Sequence, residues 1–168
     1  MKKLIFISVM LFAFTAATFA QVSATATATA IIVGPIGITN TANMNFGNVA
    51  VGAALGTVIL ATDGSRTVTG GCTLPATAGS PAAATFNVTG AANYTYAITL
   101  PAGATTLDDG ATHQMTVDNW QSDPVGTGDL GAGGSQTLRI GATLNVGASQ
   151  TPGTYTSTVP FTVTVNYN

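Results

Sequence analysis

The stretch TYTSTVPFTVTVNY, residues 154–167, decides the fold class. Tyr155, Val159, Phe161, Val163, Val165 and Tyr167 share one parity, broken only by Ser157. The opposite parity holds Thr154, Thr156, Thr158, Pro160, Thr162, Thr164 and Asn166. Successive side chains of a strand point to opposite faces, so the stretch has one apolar and one polar side. Pro160 has no N–H to give to a ladder and falls on the polar parity. The stretch predicts one long half-buried strand or two strands joined by a bend, and Pro160 points to an edge, bulge or strand switch nearby.

The same period recurs at the other end. In residues 22–33, Val22, Ala24, Ala26, Ala28, Ala30 and Ile32 alternate with Ser23, Thr25, Thr27 and Thr29, before Ile31 and Val33. The small alanines make this apolar face shallow. Between the ends, Leu138, Ile140, Ala142, Leu144 and Val146 share a face, as do Tyr94, Tyr96, Ile98 and Leu100, and Phe86 with Val88. Met115 and Val117 form a short strand before Trp120, and further strands are expected within residues 36–39, 44–51, 57–60 and 66–69. Turn residues separate these runs, among them Asp63-Gly64, Gly70-Gly71, Asp108-Asp109-Gly110, Asp123-Pro124 and Pro152-Gly153. Residues 70–84 and 122–135 are expected to be loops. Many short strands with turns at near-regular spacing predict an all-β sandwich or barrel.

Lys2 and Lys3, an apolar run from Leu4 to Phe14 and the small-residue exit at Thr18-Phe19-Ala20 predict a secretory signal peptide over residues 1–20, cut after Ala20 or a few residues later. The run is shorter than the roughly 20 residues of a membrane-spanning helix, so no membrane span is expected in the mature chain. Residues 21–168 then form a single domain. Beyond the signal only Arg66 and Arg139 are cationic, against six aspartates, for a formal charge of about −4. Such a surface cannot neutralise a phosphate backbone or an anionic membrane, so no nucleic-acid partner is expected. Cys72 has no cysteine to pair with, and its expected role is that of a small apolar residue. Gln21 stands where a lipoprotein would need cysteine.

Groups for catalysis are scarce. One histidine, His113, makes a metal-dependent hydrolase improbable and leaves a Ser-His-Asp triad only as a combinatorial option, without a Gly-x-Ser-x-Gly elbow. Asp108 and Asp109 precede Gly110 and suit a turn; Asp118, Asp123 and Asp129 match no calcium loop. No enzyme activity, metal or cofactor is expected. Trp120, among polar neighbours in an expected loop, is the one candidate contact residue, weighed against packing beneath that loop.

The motifs MNFGNVAVG (44–52), TVTGGCTL (67–74), FNVTG (86–90) and MTVDNW (115–120), with LRIGATLNVGA and PGTYTSTVPFTVTVNYN, resemble the bacterial secreted family called domain of unknown function 4402. The chain is similar in style to chaperone–usher fimbrial subunits and to spore-coat-U-like domains. That resemblance implies an all-β, immunoglobulin-like β-sandwich completed by its own N-terminal strand or by one donated from a neighbour, with itself and a periplasmic chaperone as partners. Val22, Ala24, Ala26, Ala28, Ala30 and Ile32 are then the candidate donor strand, and Phe161, Val163, Val165 and Tyr167 the candidate edge strand. The fimbrial cysteine pair is missing and the donor face lacks bulky residues. The expected location is the periplasm, cell surface or extracellular space, and the expected function that of a pilin-like structural or adhesive subunit. The alternative is a monomeric secreted sandwich that binds carbohydrate or another surface protein.

Overall fold

The apolar parity of residues 138–146 becomes the spine of the molecule. The computed structural model describes residues 21–168, and the expected signal peptide lies outside them. The strands are β1 (Gly37–Ala42), β2 (Ala50–Leu60), β3 (Arg66–Thr73), β4 (Ala84–Thr89), β5 (Thr95–Thr99), β6 (Thr105–Asp108), β7 (Gln114–Asp123), β8 (Thr127–Asp129), β9 (Ser135–Val146), β10 (Thr156–Ser157) and β11 (Thr164–Tyr167). One face of β9 carries Leu138, Ile140, Ala142, Leu144 and Val146, all buried. Along one edge β9 pairs first with β4 and then with β2, and along the other with β7, always antiparallel. β1 extends the β4 side, β3 the β2 side, and β6 with β10 the β7 side.

A second antiparallel sheet, in the order β11-β5-β8, packs against only half of this surface. Leu138 and Ile140 join Val88, Tyr96, Leu130, Val163 and Val165 in the core between the two sheets. Ala142, Leu144 and Val146 belong to a second cluster with Val58, Cys72 and Val117. No strand of the small sheet contributes to that second cluster. Half-buried Met44, Phe46, Val49, Leu107, Met115 and Trp120 pack against it instead. The protein is thus an all-β, sandwich-like fold whose two layers differ in size. Tyr96 ties them together. Its hydroxyl donates to Gln136 Oε1 of β9 at 2.9 Å, and the same oxygen accepts the Asp129 amide of β8 at 2.8 Å.

Of the two readings of the 154–167 stretch, the structure has the two-strand one: β10 lies in the large sheet and β11 in the small one, with Pro160 in the crossing between them. Several other expectations are corrected. Gly70 and Gly71 lie inside β3, not in a loop, because a side chain at either would collide with the Leu55 or Ala54 carbonyl of β2. Residues 44–48 form no strand beyond a single Asn45–Ala82 bridge; Gly47, at φ +67°, turns the chain there. The expected 122–135 loop contains β8. Trp120 sits within β7, at a register shift between Asp118 and Gln121 where Asn119 has φ +47°. Residues 22–33, despite their alternation, carry no strand and pair with none of the described strands. All their side chains are exposed, Val22 and Ile32 each by 94%.

Two carboxylates shape the acid response. Hydrogen bonds from Ser65 hold Asp63 below the ordinary 3.8. A hydrogen bond to His113, 2.6 Å away, with help from backbone amides, does the same for Asp109. Depressed folded values favour the folded state above pH 3.8, and that contribution is lost as pH falls through the folded values. Thermal melts followed by circular dichroism should therefore give a midpoint that drops below about pH 4, and less steeply in an Asp63→Asn, Asp109→Asn double variant.

Candidate strand-accepting edge and trough

β11 closes one side of the small sheet, and its pairing fixes where each backbone group points. Thr164, Val165, Asn166 and Tyr167 stand opposite Thr99, Ile98, Ala97 and Tyr96 of β5, and the Asn168 amide donates to Thr95 O. In an antiparallel ladder hydrogen-bonded and non-bonded pairs alternate. Thr164, Asn166 and Asn168 therefore bond to β5, while the N–H and C=O groups of Val163, Val165 and Tyr167 project from the outer edge. None of the described strands pairs with that edge. Exposed edges are usually blunted by shortness, charge, proline or bulges. β10 has two residues and is soon followed by Pro160, β8 has three with Asp129, and β1 is bulged between Asn40 and Ala42. β11, Thr-Val-Asn-Tyr, has no charge, proline or bulge.

The two ends of this edge differ. At one, the Tyr167 hydroxyl accepts the Ala91 amide at 2.6 Å and donates to Gly34 O at 3.1 Å, and its ring meets Tyr94 edge-on at 5.5 Å. A side chain at Gly90 would strike that hydroxyl, so the glycine is what lets Tyr167 seat. At the other end, Phe161 packs edge-on against Phe86 at 6.5 Å and lies 4.6 Å from the Trp120 ring. The four candidate edge residues thus share one line, although Phe161 and Val163 precede β11 itself; Val163 and Val165 point into the core and Phe161 and Tyr167 are half-buried.

Beyond Phe161 an open trough of about 1400 Å³ lies over the half of the large sheet that the small sheet leaves uncovered. Leu107, Met115, Val117, Leu144 and Val146 line it from the sheet, and Met44, Phe46, Phe86, Trp120 and Phe161 from the sides. No acidic or basic side chain lines it. Three of the amides along its rim donate within the protein: Asn40 to Ala42 O, Asn48 to Thr77 O, and Gln150 to the Tyr155 hydroxyl. Trp120 donates its N–H to Gly103 O at 3.0 Å. Sequence reasoning missed Arg66, whose Nη1 donates to the carbonyls of Phe46 (2.5 Å) and Asn48 (2.9 Å) and pins the 44–48 wall to β3. An arginine opening an otherwise uncharged strand was the available signal.

The other singled-out residues lie elsewhere. His113 and Asp109 clasp the turn between β6 and β7. No group of three His, Cys, Asp or Glu able to hold a metal occurs among the described residues. The described residues contain no helix long and apolar enough to cross a membrane. Cys72 is buried against Val58 and the second core cluster, and burial pushes its thiol pKa up. Its alkylation by iodoacetamide at pH 8 should be slower in the native protein than in denaturant by about tenfold or more, as mass spectrometry of the adduct will show.

With that geometry in place, a family model described as a domain of unknown function (DUF4402) matches residues 36–167. The chain belongs to this family. The DUF4402 match spans the sandwich from just before β1 to the last residue of β11 and leaves residues 22–33 outside it. No curated protein and no solved structure matches the chain.

Proposed function

We propose that this DUF4402 protein is an exported, surface-structural subunit that assembles with copies of itself by strand donation. Residues 22–33 of one copy are the donor, and the outer edge of β11 in another is the acceptor. The observation that carries this reading is the free edge at Val163, Val165 and Tyr167, whose backbone groups face away from β5 without a partner strand. Main-chain hydrogen bonds give affinity in such β-augmentation, and alternate side chains give specificity. The donor segment supports it from the other side. It is uncharged, free of proline, alternating and exposed, a combination that a solitary protein normally avoids. The resemblance to fimbrial subunits adds a periplasmic chaperone that would hold the same edge before assembly, and the first twenty residues supply the export signal.

The test compares mature protein with and without residues 22–33, by electron microscopy and by heat-sensitive multimers on gels. Filaments or multimers are expected only with the segment present, with the truncated form a folded monomer. A full-length protein that stays monomeric at high concentration would leave strand donation without support and favour the solitary binding module.

A further inference from the structure

We infer that the trough beyond Phe161 is the seat of the donated arm, receiving the alanine face of residues 22–33 from a second copy. This rests on the strand-donation reading and adds where the arm lies and which of its faces is recognised. Length comes first. β11 offers four residues, about 13 Å of edge, whereas a twelve-residue arm extends to about 40 Å. Most of the arm must overrun the edge. At the Tyr167 end the way is closed by the hydroxyl bonds to Ala91 and Gly34 and by the Tyr94 ring. At the Phe161 end it opens into the trough.

Chemistry comes second. The trough has no ionisable acid or base in its lining apart from the Tyr155 phenol, and residues 21–62 contain no Asp, Glu, Lys, Arg or His. Its floor is aliphatic, so it rewards an apolar occupant and penalises a charged one. At about 1400 Å³ the space also exceeds the roughly 300–1000 Å³ usual for small-molecule sites. An extended strand with Ala24, Ala26, Ala28 and Ala30 on one side and threonines on the other sets an apolar face on the floor and leaves hydroxyls toward solvent.

Trp120 is the chain's one tryptophan and lines this trough, so its emission reports occupancy. Two full-length variants, Ala26→Asp with Ala28→Asp and Thr25→Asp with Thr27→Asp, alter only exposed arm positions outside the sandwich strands. The alanine pair should raise the concentration needed for assembly by about tenfold or more, and the threonine pair should change it little. A labelled synthetic peptide of residues 22–33, titrated into the alanine-pair variant, should bind and shift Trp120 emission. Peptide that binds without moving Trp120 emission, with both variant pairs assembling alike, overturns the trough while leaving edge pairing in place. If wild-type protein does not assemble and the peptide does not bind, strand donation itself fails, and this inference with it.

Discussion

Replacing Tyr96 with alanine should cost about 3–5 kcal/mol, the range for removing a large buried aromatic. A small domain has only about 5–15 kcal/mol in total, so the variant should be largely unfolded at moderate urea. Tyr96 is fully buried on β5, the middle strand of the small sheet, and is one of the largest side chains in the core between the sheets. Gly128 of β8 lies so close that a side chain there would strike its ring. Its hydroxyl bond to Gln136 joins the two layers, but the ring dominates: Tyr96→Phe should cost only about 1 kcal/mol. Urea unfolding of the three proteins checks both figures. Because β5 is the strand on which β11 is built, Tyr96→Ala should also remove the accepting edge, while Tyr96→Phe keeps it.

Arg66→Ala is the second large effect. Two carbonyls, of Phe46 and Asn48, would lose a charged donor, for about 2–3 kcal/mol. Arg66→Lys should recover little, since a single ammonium cannot reproduce the planar geometry of the guanidinium. The loss should be local as well as global. The 44–48 segment holds no ladder beyond one bridge, and Gly47 is packed so tightly between Ala78 O and the Arg66 side chain that no other residue fits. Proteolysis should therefore strike this wall of the trough first in Arg66→Ala, in contrast to a uniform loss of resistance.

The sandwich was legible wherever parity alone carries the information. The five apolar positions of β9 all face the core, and Pro160 marked the crossing from one sheet to the other. Glycine misled where it serves close approach in place of a turn, as at Gly70-Gly71. Trp120 read as a loop residue because Asp118, Asn119, Gln121 and Ser122 surround it; a bulge, which no local pattern announces, lets a strand hold that sequence. Alternation in residues 22–33 announced a strand, but a segment's period does not supply the neighbour that a strand needs, and these residues carry no strand. The trough was not legible at all. It arises from the unequal size of two sheets, a long-range consequence of where β5, β8 and β11 pair.

The most direct test of strand donation is amide hydrogen exchange at β11, comparing residues 34–168 alone with assembled full-length protein. In the truncated form the amides of Val165 and Tyr167 should exchange fast while those of Thr164 and Asn166, bonded to β5, exchange slowly. In the assembled protein Val165 and Tyr167 should become as protected as their neighbours. Protection of Val165 and Tyr167 without residues 22–33, or fast exchange there in the assembled form, would contradict the account.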